Sequence, residues 1–150
     1  MREPEKSVRY LADRMAIQDL VHNYNLALDL REDGLIDSLF TVDAVNGDKV
    51  GIDAIHEAYR RTWEKFTELH HMSTNLVVEI DGDRASARSK SIVLRGGSEL
   101  ETAEFPIYVV YDDDLVRVNG AWRIQRRRFA GYPHPIPAQA PIAAGTDQRK

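Results

Sequence analysis

The hydrophobic positions first follow a helical period. From Ser7 to about Leu30 the chain runs without Gly or Pro, and Ile17, Leu20, Val21, Tyr24, Ala27 and Leu28 recur at spacings of three and four, the stripe of an amphipathic helix. Ser7 is placed to cap its start, and Glu32-Asp33-Gly34 reads as its stop. Leu35 to Phe40 makes a short apolar helical turn, and Asp43 to Val50, centred on Asn46-Gly47, predicts two short strands joined by a tight turn. Ile52, Ile55, Tyr59, Trp63 and Phe66 then return to helical spacing with charged residues between them, a second amphipathic helix reaching about Leu69.

Beyond it the period becomes two. His71 to Ile80, Arg84 to Leu94, Leu100 to Tyr111 and Ala121 to Phe129 read as four strands, with breaks at Asp81-Gly82-Asp83, Gly96-Gly97 and Asn119-Gly120. Helices in the first half and an antiparallel meander in the second predict an α+β fold, with helices covering one face of a curved sheet. A single domain over residues 1–132 is expected, followed by an extended Pro-rich tail over 133–150. Leu76, Val78 and Ile80 alternate with Val77, and Ile107 and Val109 with Tyr108 and Val110, so both faces of the sheet carry apolar residues. The face without helices is expected to meet another copy of the chain, as a dimer or trimer.

Composition narrows the function. The chain has 150 residues, no cysteine, and 20 Lys+Arg against 24 Asp+Glu, a net charge of -4. That sign disfavours nucleic acid as a partner. The missing cysteines exclude a thiolate nucleophile or a zinc–thiolate site and suit a reducing cytoplasm. No stretch of about 18 apolar residues is present, so no membrane span is expected. Nor do the glycine patterns of dinucleotide, P-loop or α/β-hydrolase sites occur.

Few residues are left to carry chemistry. In a strand, His70 and His71 point to opposite faces, so they cannot chelate one metal ion together, and the other histidines stand at no ligand spacing. No metal and no cofactor is expected. Either histidine suits proton transfer near neutrality, and equally either is an ordinary strand-edge residue. Asp29 is a carboxylate between two leucines at a helix C-terminus, where negative charge is unfavourable. It either serves a site or opens the following turn, and helical spacing leaves it off the stripe of Tyr24 and Leu28. Tyr24 lies on that stripe, with a hydroxyl that needs a partner if its ring is buried. Alternation along Trp122, Ile124, Arg126 and Arg128 places the last two on the inner face and Arg127 on the other.

Several of these segments together point to a family. Leu11-Ala12-Asp13-Arg14-Met15-Ala16-Ile17-Gln18-Asp19-Leu20, Tyr24 five residues before Asp29, His71-Met72 leading to Asn75, Ile80-Asp81-Gly82-Asp83-Arg84-Ala85 and Asn119-Gly120-Ala121-Trp122-Arg123-Ile124 resemble a SnoaL-like protein. That group belongs to the nuclear transport factor 2-like, cystatin-like α+β superfamily, whose fold is a cone of helices and curved sheet. Among its members the chain is most similar to the cofactor-free lyases scytalone dehydratase, bile-acid dehydratase and hexachlorocyclohexane dehydrochlorinase. The resemblance spans roughly residues 8–130 and implies that His71 and Asp29 form a catalytic pair, with Tyr24 matching a site tyrosine of bile-acid dehydratase. Two departures stand out: the position of that enzyme's arginine falls on Gly131, with Arg126 and Arg128 as neighbours, and the strand Arg84 to Leu94 has no second pocket histidine.

What the resemblance implies is a dehydratase-type elimination from a hydroxylated cyclic or aromatic small molecule. His71 takes a proton, Asp29 holds its tautomer and Tyr24 hydrogen-bonds a carbonyl or a leaving hydroxyl. Substrate contacts are expected from Arg126, Arg128, Trp63, Phe40, Phe105 and Met72. Two other readings fit the same fold: an isomerase or epoxide-hydrolase-like enzyme, and a non-catalytic small-molecule-binding protein.

Overall fold

A computed structural model describes residues 4–97 and 106–132. Its elements are α1 (Pro4–Asp29), α2 (Asp33–Leu39), β1 (Phe40–Asn46), β2 (Lys49–Val50), α3 (Ile52–Lys65), β3 (Glu68–Asp81), β4 (Arg84–Gly96), β5 (Ile107–Val118) and β6 (Ala121–Tyr132). The six strands form one sheet in the order β2-β1-β6-β5-β4-β3. The three helices bury Ile17, Leu20, Ile36, Leu39, Ile55 and Trp63 together with Val78, Val109, Leu115, Trp122 and Ile124 from the sheet. This is the expected α+β architecture, and among the described residues no helix is long and apolar enough to cross a membrane.

Four details differ from the sequence reading. The first helix starts at Pro4 and not after Ser7, since proline lacks only an N–H that has no partner in a first helical turn. The sheet is mixed, because β1 runs parallel to β6 and brings Phe40 opposite Ile124. The third helix stops at Lys65, so β3 already starts at Glu68. Leu100 to Phe105 of the strand expected to end at Tyr111 lie outside the described residues, and the strand is described over Ile107–Val118, running on past Tyr111. Its polar run stays in the ladder because each aspartate meets an arginine across it: Arg88 Nε–Asp112 Oδ1 at 2.6 Å, Arg127 Nε–Asp113 Oδ1 at 2.7 Å and Arg128 Nη1–Asp114 Oδ2 at 2.8 Å. Such cross-strand pairs stabilise a strand whose composition alone argues against it. Phe105 and residues 133–150 lie outside the described residues.

Besides a register shift between Phe40 and Val45 where β1 meets β6, bulges interrupt the alternation at two places near the site. One lies between Thr74 and Val77, with Asn75 in the left-handed region at φ 54°. The other lies in β6, where Leu115 pairs with Ile124 but Asp114 pairs with Arg126, leaving Gln125 as the extra residue.

Candidate active site

The site is built from the end of α1 and the inner face of β3 to β6. At Asp29 the helix closes with the Glu32 N–H donating to the Ala27 carbonyl at 2.9 Å, while Arg31 adopts φ 59°. This six-to-one closure around a left-handed residue is a Schellman motif. Glycine would be the ordinary choice for Arg31. Arginine is held there because its Nη2 donates to the carbonyls of Phe66 at 2.8 Å and Thr67 at 2.9 Å. The turn therefore lies earlier than Glu32-Asp33-Gly34, whose Asp33 opens α2. By ending α1 at this point it turns Asp29 towards β3.

Asp29 meets His71 twice: the His71 backbone N–H donates to Oδ2 at 2.8 Å, and Nδ1 lies 2.5 Å from Oδ1. A carboxylate only accepts, so Nδ1 carries the proton and Nε2 is the ring nitrogen left for a ligand. The pair is largely enclosed, with the His71 side chain 7% and the Asp29 side chain 17% exposed. One helical turn before Asp29 and two strand residues after His71, Asn25 Nδ2 donates to Ser73 Oγ at 2.9 Å. Two rungs thus clamp α1 along β3.

Tyr24, on the same helix, presents its ring edge to His71 with centroids 6.2 Å apart. Its hydroxyl belongs to a chain in which Asn46 Nδ2 donates to Tyr59 Oη at 2.7 Å and the Tyr59 hydroxyl donates to Tyr24 Oη at 3.4 Å. Burial pushes the Tyr59 and Tyr111 hydroxyls well above the usual tyrosine range, so both stay protonated.

His71, Tyr24, Tyr59 and Tyr111 open onto one cavity of about 330 Å³, whose other walls include Leu28, Thr62, Phe66, Val93, Arg95, Val109 and Phe129. It is a mostly apolar chamber with a few polar groups, large enough for a small cyclic ligand. Among the described residues no cluster of three or more His, Asp or Glu side chains could hold a metal ion.

The structure brings Asp29, His71 and Tyr24 together and sorts the remaining candidates differently. The bulge at Gln125 shifts the alternation by one, so Arg127 faces inward and is 1% exposed, while Arg126 and Arg128 lie on the outer face. Arg128 pairs there with Asp114. Met72 also faces outward, as alternation from His71 requires, and is half exposed. Trp63 and Phe40 are core residues beside the chamber and not part of its wall. Trp63 Nε1–H donates to the Leu28 carbonyl at 2.9 Å, and Phe40 packs edge-on against Tyr24 at 6.3 Å.

Sequence reasoning missed the Arg127–Asp113 pair, with Nε–Oδ1 at 2.7 Å and Nη2–Oδ2 at 2.6 Å. Burial opposes the charge on Arg127, but the Asp113 carboxylate outweighs it and holds the guanidinium above its ordinary pKa. A signal was present: Asp112 to Asp114 lie 5–7 residues before Asn119 and Arg126 to Arg128 lie 6–8 residues after Gly120, which brings the two runs opposite one another across a hairpin, with Gln125 taking up the one-residue difference.

Comparison with known proteins agrees with this fold. A model of the SnoaL-like domain matches residues 9–128. An uncharacterized protein of Mycobacterium tuberculosis is 33% identical over 129 residues, 81% of this chain and 86% of its own. The gamma-hexachlorocyclohexane dehydrochlorinase of Sphingobium indicum is 28% identical over 124 residues, 78% of this chain and 79% of its own. The crystal structure of LinA superposes with a TM-score of 0.76 at 27% identity, covering 90% of this chain and 98% of that one. A putative scytalone dehydratase from Novosphingobium aromaticivorans shares the fold with a TM-score of 0.77 at 20% identity, over 93% and 99% of the two chains. Helices, sheet and matched residues lead to one conclusion: the chain belongs to the SnoaL-like domain family.

Proposed function

We propose that the protein is a cofactor-independent lyase of the dehydratase type, acting on a hydroxylated cyclic or aromatic small molecule. The observation that carries this reading is the Nδ1 bond of His71 to Asp29, which leaves Nε2 as the base in a mostly apolar chamber. Nε2 takes a proton from the carbon next to an electron-withdrawing group, the C–H electron pair forms the double bond, and the leaving group departs with its own pair. Where that group is hydroxide, the proton needed to release water comes from the His71 imidazolium or from the Tyr24 hydroxyl. Tyr24 meanwhile hydrogen-bonds the carbonyl or the leaving oxygen. The dehydrochlorinase relative supports the reaction class.

The test is a panel of hydroxylated cyclic ketones together with hexachlorocyclohexane, assayed by chromatography for loss of water or chloride. Turnover by the wild type and a fall of about a hundredfold or more in His71→Gln, with folding intact, is expected. Ligand affinity that His71→Gln leaves unchanged, with no turnover in either protein, would favour a binding protein.

We further propose that the outer sheet face meets a second copy of the chain. It presents half-exposed Met72 and more exposed Val77 beside the ion pairs Arg88–Asp112 and Arg128–Asp114. Rows of alternating charge of this kind complement themselves across a symmetry axis.

A further inference from the structure

The lyase reading uses Asp29, His71 and Tyr24 and gives no task to a cation on the β4 side of the chamber. Ser91 and Val93 are buried on the inner face of β4, and alternation sets half-buried Arg95 next on the same side, where its side chain forms part of the chamber wall. The Arg95 guanidinium carbon stands over the Phe66 ring, 4.7 Å from the centroid, and Lys65 Nζ lies 5.0 Å from the same centroid. Arg31 reaches this segment too, on the carbonyls of Phe66 and Thr67. Three cations thus gather around one phenylalanine whose ring also walls the chamber. Glu68 faces away from them: it precedes inward-facing Leu69, so it lies on the outer side of the sheet, against Gly96.

We propose that Arg95 is a specificity-determining residue that takes a carboxylate carried on the ring of the substrate. The inference rests on reading this chamber as the ligand site, and it deepens that reading by naming the substrate class: a hydroxylated cyclic compound with a carboxylate set away from the carbon that gives up its proton. That carboxylate anchors the ring and leaves activation of the C–H bond to a separate electron-withdrawing group.

Placement, stacking and solvent each support it. In the β3–β4 ladder His71 stands opposite Val93 and Leu69 opposite Arg95. Two residues of strand rise and one strand spacing therefore separate the backbones of His71 and Arg95, about 8 Å, with both side chains on the inner face. A single substituted ring can bridge the two. A guanidinium held by its face over an aromatic ring keeps its N–H donors in its own plane, the geometry in which a carboxylate accepts two of them. Five donors leave room for this beside the other contacts that Arg95 makes. Walls such as Leu28, Val93 and Val109 exclude water around the pair, which strengthens an ionic contact.

The probe is benzoate, with benzamide as its uncharged counterpart of nearly the same shape, both titrated by calorimetry at neutral pH. The wild type is expected to bind benzoate about tenfold or more tightly than benzamide. Benzoate should also shift the ¹⁵N signals of the His71 ring, which reports binding inside the chamber. Arg95→Met keeps an apolar stem over Phe66 and removes the charge, so it should bind both ligands equally, at the wild-type affinity for benzamide. Arg95→Gln serves the same comparison if the methionine variant does not fold. Arg95→Lys, a point charge without the fork, should keep part of the preference. A merely structural arginine would leave the ratio of the two affinities unchanged in every folded variant. That result overturns the proposal, as do equal binding of the two ligands by the wild type, no binding of benzoate at millimolar concentration, or a His71 ring that benzoate leaves unshifted. Neither probe carries a group to eliminate, so any of those results leaves the lyase reading to its own assay, and a protein without lyase activity can still show the carboxylate site.

Discussion

Asp29 does two things with one carboxylate: it anchors the His71 backbone and fixes the His71 tautomer. Asp29→Asn keeps the size and offers the imidazole a donor in place of an acceptor, which favours the proton on Nε2. Activity is expected to fall by about 10²–10⁴-fold, as when the orienting aspartate of a catalytic triad is amidated, and ¹⁵N spectra of the His71 ring should show the tautomer exchanged. Arg31 supports Asp29 from two residues away. Arg31→Ala removes the two bonds to Phe66 and Thr67 and should cost about 1–3 kcal/mol in urea unfolding. Arg31→Gly should lose less, because glycine adopts φ 59° without strain. At this scale the sequence was partly legible. The unfavourable charge at a helix end marked Asp29, but spacing placed it off the buried stripe. What spacing does not contain is the Schellman closure, which depends on an arginine binding carbonyls 35 and 36 residues further along.

His56 joins two elements, with Nδ1 on Asp33 at 2.5 Å and Nε2 on Asp37 at 2.8 Å, while Arg60 also reaches Asp33 at 2.7 Å. Both ring nitrogens face carboxylates, so the imidazolium ties α3 to α2. Partial burial lowers the His56 pKa, but the bonds from Asp37 and Asp33 outweigh it and raise the value above 6.5. A histidine raised in the folded state contributes its full stabilisation below its unfolded pKa and loses it as pH rises through the folded value. Asp33, lowered first by its bond to His56, contributes in the opposite sense: its share is present above its unfolded pKa and lost as pH falls through the folded one. Thermal melts should therefore show a decline as pH rises from 6.5 through the raised folded-state value of His56, and His56→Gln should abolish it. Elements of this kind were legible where one period ran unbroken, as in α3 and β4. They were misread where pairing overrode composition: the strand expected to end at Tyr111 runs on through Asp112 to Asp114, because β4 and β6 both bring arginine opposite these aspartates.

Across the whole molecule, the sheet separates two surfaces, a chamber beneath the helices and an outer face rowed with ion pairs. If that outer face meets a second copy, sedimentation of the wild type should show an oligomer, and Val77→Glu, which sets a like charge near Glu79, should shift it towards monomer without unfolding it. Which arginine serves which surface depends on one unpaired residue, Gln125. Loss of Gln125 would let Ile124 be followed directly by Arg126, so Arg127, Phe129 and Gly131 would keep their present sides in a regular strand. Straightening the strand with all its residues present would instead turn the run from Arg126 to Gly131 inside out. Chains of this kind can therefore shorten here by one residue and preserve the chamber, whereas a full-length chain that pairs too well would lose it.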